Sequence, residues 1–275
     1  MHLSFMAAAF CYIISLALMI GSRRRASAFF MGLGCSLNLL SLGVRYYGFF
    51  PMLPLYQGAY LIPCLVGACC IKPILASSGH PIHPLMVSSL ALTALFFPND
   101  YYLPVLQFKT PFAHAFVFFG VVGKAMFFMA GTWAFLALIR SARQSRERSW
   151  QTSETGDETE SIVKSQLVAS ISTSENLKKM GNAVILGFFF WTLSIFSGAV
   201  WSYLGWGSPV VWDDPLMTTT MAVWLYFTLF LHLHLIPTLY KPFPRAMFAL
   251  VGSALVFVGT LMPELGMLRW PGGLS

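Results

Sequence analysis

Long apolar segments separated by shorter polar ones run along almost the whole chain. A transmembrane α-helix needs roughly 20 predominantly apolar residues. The pattern therefore predicts an all-α fold, a polytopic transmembrane helical bundle with spans at 3–21, 27–47, 57–76, 84–98, 112–139, 182–200, 216–236 and 246–263.

One longer polar segment interrupts this pattern between the fifth and sixth spans. It is rich in Ser, Thr, Glu, Arg and Lys, has few large apolar residues and shows no helix or strand period, which is typical of a flexible linker. The sequence thus predicts a five-span amino-terminal half (1–139), a flexible cytoplasmic linker (140–181) and a three-span half (182–275) that carries a tryptophan-rich segment.

Composition supports the membrane assignment. Hydrophobic residues make up 57% of the chain and charged residues 10%, whereas soluble domains carry about a quarter charged residues. The five cysteines lie inside apolar segments without a CxxC or CxxCH spacing. The sequence therefore indicates no redox pair or covalent haem attachment of that type, and the cysteines are interpreted as small buried apolar residues.

The net charge of +7 comes from basic clusters between the apolar segments. Cytoplasmic loops carry an excess of Lys and Arg, which predicts that the amino and carboxyl termini lie outside. The residues then placed inside are Arg23, Arg24, Arg25, Lys72, Arg140, Arg143, Arg146, Arg148, Lys164, Lys178, Lys179, Lys241 and Arg245, against Arg45, Lys109 and Arg269 outside. The first apolar segment lacks a basic leader and is followed by the arginines, so an uncleaved first span is expected.

A tryptophan-rich segment follows the sixth span and is predicted on the outer face. Trp201, Trp206 and Trp212 occur within twelve residues, with Gly205 and Gly207 among them. Tryptophans at a membrane surface are ordinarily interfacial anchors. Glycines also allow a flat partner to approach the backbone, and indole faces are large rigid platforms. Two interpretations stay open, membrane anchors or a platform for a planar hydrophobic ligand such as haem.

The same region resembles the CcsA/ResC family of cytochrome c assembly proteins. The matching residues are Gly187-Phe188, Ser197-Gly198-Ala199-Val200-Trp201, Trp206-Gly207-Ser208, Asp214-Pro215, Thr218, Trp224 and His232, with Gly48, Phe50, Pro51, Leu55 and Tyr56 in a second stretch. The resemblance implies an eight-span fold, haem binding, and presentation of haem for attachment to a reduced CxxCH apocytochrome c together with a CcsB/ResB partner.

Several positions depart from the family pattern. Leu216-Met217 replaces the Lys-Glu that follows Asp-Pro, Phe49 and Gln57 stand where the family often has His and Glu, and no histidine follows His234. Three alternatives therefore stay open. One is a HemX-like membrane regulator of tetrapyrrole synthesis, another is CcmC-like haem delivery to a chaperone, and the third is a non-haem transporter.

Histidine is the obvious axial ligand for haem iron. His114 is predicted at the outer end of the fifth span, and the resemblance implies an outer ligand there. His232 is predicted to be buried deep in the seventh span, with His234 pointing to roughly the opposite side of that helix. Eighteen residues separate His232 from Asp214, about 27 Å along a helix, so His114 and His232 cannot share one haem. The sequence predicts two stations, or one functional and one structural histidine.

Other polar residues have weaker assignments. Lys124 lies within the fifth span without an acidic partner at that depth in the sequence, and is either paired with a haem propionate or snorkelling. Asp213 and Asp214 suit the amino terminus of the seventh helix as caps, with Asp214 also matching the family motif. His2, His80 and His83 are further possible ligands, although the last two are interpreted first as part of a turn.

The sequence as a whole predicts a multi-pass protein of a bacterial inner (plasma) membrane that handles haem b. Its expected site residues are His114 and His232 as iron ligands, with Trp201, Trp206, Trp212, Asp214 and Lys124 around the haem. The expected partners are a CcsB/ResB-like membrane protein and apocytochrome c, with no nucleic acid. Whether the chain is an enzyme, as a subunit of a haem-attachment complex, stays open.

Overall fold

A computed structural model of the protein describes residues 2–50, 57–76, 79–97, 111–151, 159–210 and 215–260. These residues form eight α-helices and no strand. The helices are α1 (His2–Ile20), α2 (Arg24–Phe49), α3 (Gln57–Leu75), α4 (Ile82–Ala94), α5 (Pro111–Gln151), α6 (Thr159–Trp206), α7 (Pro215–Leu231) and α8 (Pro242–Thr260). Proline opens α5, α7 and α8, a position where its missing N–H costs no hydrogen bond and its fixed φ suits the helix.

Six of these helices are long and apolar enough to cross a membrane, namely α1, α2, α3, α5, α6 and α8. The other two, α4 and α7, are shorter apolar helices. Many large apolar side chains point outward from the bundle, among them Phe10, Leu40, Phe96, Phe118 and Phe196. In water such a surface would be unfavourable, whereas lipid tails are its natural solvent. The predicted class, a polytopic helical membrane protein, is confirmed.

The structure differs from the sequence prediction in the polar segment between the fifth and sixth spans. α5 extends to Gln151 and α6 already begins at Thr159, so most of 140–181 is helical. The expectation of a segment without a helix was wrong. Both helices simply continue past their apolar portions, because Glu, Lys, Arg and Gln are good helix formers whether or not an apolar face accompanies them. The division into two halves and a linker stays a prediction.

α5 and α6 form an antiparallel pair at the centre of the fold. Phe116 of α5 stacks on Trp201 of α6 near one end, and Lys179 of α6 lies over Trp133 of α5 near the other. Glycines bring the two backbones together between these points, since a Cβ on Gly123 would lie 3.1 Å from the carbonyl oxygen of Gly187. Small residues at a crossing are the usual means of close helix packing in membranes.

The remaining helices pack around this pair. α7 joins it through the Phe127–Phe227 stack, with ring centroids 3.7 Å apart, and α8 through the Phe128–Phe257 contact. α2 reaches α5 through Tyr46 and His114, and α3 does so through Cys70 and Met129. The bundle therefore has two ends. We call the end where α5 begins and α6 finishes the His114 end, and the end where α7 finishes the His232 end.

Candidate functional site

His114 lies in the first turn of α5, as the sequence predicts. Its imidazole is half-buried, and Nδ1 lies 3.1 Å from the hydroxyl oxygen of Tyr46 on α2. The two rings meet edge to face with centroids 5.7 Å apart. This contact uses Nδ1 and leaves Nε2 as the nitrogen that can take a ligand. A hydrogen-bonded partner that orients the ring is a common feature of metal-binding histidines.

Trp201 lies near the end of α6, on a different side of α5 from His114. Its side chain is 6% exposed and stacks on Phe116, with ring centroids 6.1 Å apart and planes at 28°. Gly198 makes room for this pair, because a Cβ there would lie 2.8 Å from the Phe116 ring. Side chains two positions apart on an α-helix point in directions about 200° apart. Since Trp201 stacks on Phe116, it lies on the other side of α5 from His114, and the structure does not bring the two together.

The turn after α6 is held by two serine hydroxyls. Ser202 donates to the carbonyl of Ser208 at 2.7 Å, and Ser208 donates to that of Val210 at 2.9 Å. Gly207 has φ of 71°, the left-handed region that glycine adopts without strain. Trp206 is the last residue of α6, while the predicted site residues Trp212 and Asp214 lie outside the described residues.

A small cleft of about 40 Å³ lies between α5, α6 and α7 below the Phe116–Trp201 stack, and Lys124 is one of its walls. The ammonium nitrogen lies 5.9 Å from the centroid of the Trp191 ring. The Trp191 indole N–H donates to the carbonyl of Thr220 at 3.2 Å, which fixes the wall formed by α6 and α7. The lining residues are Phe116, Val117, Gly120, Val121, Lys124, Trp191, Ser194 and Thr220.

Lys124 is thus the basic group of an otherwise mainly apolar cleft. Ten residues separate it from His114, about 15 Å along α5. The structure therefore places the cation below the His114 end rather than beside the histidine. A cation held at this depth is costly unless an anion or an aromatic face stabilises it, and the Trp191 ring supplies part of that stabilisation.

His232 corrects the sequence prediction. It was expected deep inside the seventh span, but α7 ends at Leu231 and the His232 side chain is exposed. A 3₁₀ turn at Leu233–Leu235 follows, so the rotation of a continuous α-helix does not apply. His234 consequently lies beside His232, with ring centroids 6.1 Å apart and planes at 28°, rather than on the opposite side.

The tautomer of both rings follows from their partners. Nδ1 of His232 lies 2.8 Å from the carbonyl oxygen of Thr228, and Nδ1 of His234 lies 3.1 Å from that of Leu231. A carbonyl oxygen only accepts, so each Nδ1 is the donor, and in the neutral imidazole the lone pair is then on Nε2. Both imidazoles are therefore prepared as ligands through Nε2, and His234 becomes a candidate that the sequence had set aside.

The two predicted histidine positions are far apart. α7 has 17 residues, which span about 26 Å at 1.5 Å per residue. α7 runs in the same direction as α5, since Thr220 lines the cleft with Phe116 and Phe227 stacks on Phe127. His114 and His232 consequently lie at opposite ends of the bundle, too far apart to ligate one iron.

The structure also reveals buried polar residues that sequence reasoning did not assign to a site. Near the His114 end, Arg45 is 4% exposed and its guanidinium carbon lies 4.8 Å from the centroid of the Tyr60 ring. Gln57, the first residue of α3 and three positions before Tyr60, is also buried. The position of Arg45 inside an apolar segment is the sequence signal for a buried charge. In the sequence Arg45 was interpreted only as one of the basic residues that indicate orientation.

Near the His232 end, His83 is 1% exposed and packs edge to face on Trp133 with centroids 5.0 Å apart. Its Nδ1 donates to the carbonyl of His80 at 3.1 Å. Burial, reinforced by the charge of Arg140, lowers the pKa of His80. The sequence had grouped both histidines in a turn, whereas His83 belongs to the first turn of α4.

Metal-binding chemistry at these positions is confined to single histidines or pairs. Within the described ranges, no group of three or more His, Cys, Asp or Glu side chains is arranged to hold a metal ion. His234 lies beside His232 as a candidate second ligand at that end, whereas it is too far from His114 to serve there.

Comparison with known proteins supports the resemblance drawn from the motifs. The protein "Cytochrome c biogenesis protein CcsA" of Chlamydomonas reinhardtii is 44% identical over 61 residues, 22% of this chain and 17% of that protein. The protein of the same name from Synechococcus sp. (strain CC9902) is 39% identical over 66 residues, 24% of this chain and 21% of that protein. That of Fagopyrum esculentum subsp. ancestrale is 43% identical over 60 residues, 22% and 18% of the two chains.

These local matches cover about a fifth of the relatives' own length. The family model described as "Cytochrome C assembly protein" extends much further, over residues 1–268 of this chain. The family predicted from the tryptophan-rich segment is therefore confirmed, and the chain belongs to the cytochrome c assembly protein family.

Proposed function

We propose that this chain acts in cytochrome c biogenesis by binding haem b in the membrane and presenting it on the outer face for attachment to apocytochrome c. The observation that carries the proposal is the pair of oriented histidines at opposite ends of one bundle. His114 is oriented by Tyr46, and His232 by the carbonyl of Thr228. Each leaves Nε2 for the iron of a haem cargo.

The cleft between α5, α6 and α7 is proposed to mark the path of the haem edge between these stations, although its volume of about 40 Å³ is smaller than a porphyrin. Its walls are mainly apolar, as the face of a porphyrin requires, and Lys124 provides a cation at membrane depth. A haem propionate is an anion that would stabilise this ammonium. Lys124 is thus proposed to guide the cargo between the two ends rather than to ligate iron.

The tryptophan-rich segment is proposed to receive the haem at the His114 end. Trp201 is covered by Phe116 and buried, so its contribution is to hold the end of α6 in place. Trp206 and Trp212 are the proposed platform, and Asp214 is proposed as a polar contact of the haem. In this proposal Trp201 supports the segment, whereas Trp206 and Trp212 contact the haem.

The proposed location is a bacterial inner membrane with both termini and the His114 end outside. Basic side chains support this orientation, because Lys179, Arg140 and Arg245 all belong to the His232 end of α5, α6 and α8. The proposed partners are a CcsB/ResB-like membrane protein and an apocytochrome c, which would supply the thiols that add to the haem vinyl groups.

Absorption spectroscopy tests the haem proposal. The chain is expressed with haem available, purified in detergent and scanned through the Soret region. The expected result is a Soret band that persists through gel filtration together with the protein. A protein without this band under those conditions would contradict haem handling and favour the non-haem transporter.

A HemX-like regulator of tetrapyrrole synthesis is the second candidate function. It is favoured by the replacement of the family's Lys-Glu by Leu216-Met217 and by the lack of any histidine beyond His234. Deleting the gene separates the two proposals. Loss of c-type cytochromes with normal tetrapyrrole levels supports assembly, whereas altered tetrapyrrole levels with normal cytochromes c support regulation. A CcmC-like protein would instead copurify with a haem chaperone.

A further inference from the structure

Three buried sulfur-containing side chains lie in the interior of the amino-terminal helices, on elements that do not line the cleft described above. They belong to Met31 and Cys35 of α2 and to Cys64 of α3. The three residues are 0%, 7% and 3% exposed. Because Cys35 lies near the middle of α2 and Cys64 in the first half of α3, the cluster is at membrane depth rather than at either end of the bundle.

Each of the two thiols points at the backbone of the other cysteine. Sγ of Cys35 lies 3.5 Å from the carbonyl oxygen of Cys64, and Sγ of Cys64 lies 3.6 Å from the carbonyl oxygen of Cys35. These reciprocal contacts cross the α2–α3 interface at one level. Both thiols are therefore held at one level of the α2–α3 interface, each beside the backbone of the other cysteine.

Gly67 opens a space beside them. A Cβ at Gly67 would lie 2.8 Å from Sγ of Cys35 and 3.2 Å from Sδ of Met31. Both sulfurs consequently border the same small volume, which any other residue at position 67 would fill. Glycine at this position of α3 therefore leaves room beside the Met31 thioether and the Cys35 thiol.

A polar group next to this cluster is also left unsatisfied. Asn38, one turn along α2 from Cys35, is 0% exposed and donates to the hydroxyl of Tyr12 at 3.4 Å. Its Oδ1 has no hydrogen-bond partner. An unsatisfied buried acceptor costs free energy, so the surroundings of the cluster are more polar than packing alone requires.

We propose that Cys35, Cys64 and Met31 form a binding site for a soft monovalent metal ion of the copper(I) class. Thiolate and thioether sulfur select Cu(I), whereas the described residues lack the larger donor sets that divalent ions need. The proposal is independent of haem binding, and it concerns side chains that the sequence interpreted only as buried apolar groups.

Charge balance favours a monovalent ion. One thiol loses its proton to solvent as Cu⁺ binds, the copper keeps its oxidation state, and the second thiol and the thioether act as neutral donors. The site then holds no net charge, which suits a position away from water. A divalent ion bound by the same exchange would leave one buried positive charge without a counterion.

The test is an anaerobic titration of the purified full-length chain with Cu(I), in competition with a chromophoric chelator, followed by X-ray absorption at the copper edge. The wild type is expected to bind one Cu(I) with sulfur ligands and to release one proton. Cys35→Ala and Cys64→Ala are expected to lose this ion, and Met31→Leu to bind it about tenfold more weakly, equivalent to about 1.4 kcal/mol.

Cys11→Ala and Cys70→Ala are the matched controls, since both remove a buried thiol of the same half. Cys70 Sγ lies 3.6 Å from Sδ of Met129, a pair with one thiol fewer. Both controls should retain the ion. The proposal is overturned if the wild type does not bind Cu(I), or if Cys35→Ala and Cys64→Ala bind it as tightly as the wild type does. It is also overturned if Cys70→Ala is the variant that loses the ion. If the Cys variants fail to fold, unchanged affinity in Met31→Leu overturns it.

Discussion

Each candidate haem ligand is oriented by a single hydrogen bond. The partner of His114 is a tyrosine of a neighbouring helix, 3.1 Å away, while that of His232 is a carbonyl of α7, the helix that ends one residue before it, 2.8 Å away. The first contact depends on how α2 packs on α5, whereas the second survives any motion of α7 as a unit. The two stations should therefore respond differently to mutations outside the ligands.

Replacing Tyr46 by Phe removes the hydroxyl that orients His114 and keeps the ring. Loss of such a partner typically weakens metal binding about 10–100-fold, so haem affinity of the His114 station should fall by that order in a titration of haem into the apoprotein. The neighbouring Tyr47→Phe is the control, since Tyr47 is 88% exposed. Equal affinity of the two variants would remove Tyr46 from the account.

Lys124→Met tests the basic wall of the cleft. A charge-assisted contact contributes about 1.5–3 kcal/mol, so retained haem should fall by one to two orders of magnitude in the purified variant. Lys124→Arg should keep most of the haem because the positive charge remains. Lys241→Met, which removes an exposed lysine beyond α7, is the control for net charge. Full haem content in Lys124→Met would mean that the ammonium has no part in binding.

At the scale of helices, the α5–α6 crossing holds both stations in place. It positions Phe116 against Trp201 near one end and Trp133 against Lys179 near the other. Gly187 is a tight point of this crossing, because a Cβ there would lie 2.8 Å from the Phe127 ring and 3.2 Å from the carbonyl oxygen of Gly123. Phe127 in turn stacks on Phe227 of α7, so a displacement there reaches three helices.

Gly187→Ala should therefore destabilise the protein by overpacking, by about 1–3 kcal/mol. Thermal unfolding in detergent, followed by tryptophan fluorescence, should show a lower midpoint. Gly32→Ala on α2 is the matched control, since a Cβ there meets nothing within 4 Å and leaves stability close to that of the wild type. A midpoint for Gly187→Ala equal to that of Gly32→Ala would show that the crossing tolerates a methyl group.

Hydrophobic patterning predicts most of these helices but not all their ends. Apolar length locates a span, because lipid imposes it. The end of α7 at Leu231 depends instead on a local change to a 3₁₀ turn, and that change alone exposes His232 and brings His234 beside it. The same limit applies to α5 and α6, which continue as helices into a segment whose polarity had suggested a linker.

The site is only partly predictable for a related reason. His114 and Lys124 were correctly placed on α5 because spacing along one helix is fixed by its rise. The position of Trp201 behind Phe116, and the convergence of Cys35 with Cys64, depend on which faces of different helices meet. No period in a single sequence reports that, and the family motif indicates importance without giving these contacts.

At the scale of the whole molecule, presentation of haem on the outer face requires that the His114 end face outward. A single cysteine is introduced at each end of the bundle. Pro209→Cys places it in the exposed turn after α6, and Lys241→Cys places it between α7 and α8. In intact cells a membrane-impermeant maleimide should label the first but not the second, and should label both after permeabilisation. The wild type, whose five cysteines lie in helices, serves as the background control. The reverse pattern would place the His114 end inside.

The central claim is that one chain holds haem at two separate stations. Haem retained per chain, measured in His114→Ala, His232→Ala and the double variant, tests it most directly. Two stations predict a partial loss with a changed spectrum in each single variant and nearly complete loss in the double variant, with His80→Ala unaffected. His234→Ala shows whether the adjacent ring contributes. Wild-type haem content in both His114→Ala and His232→Ala would contradict the account.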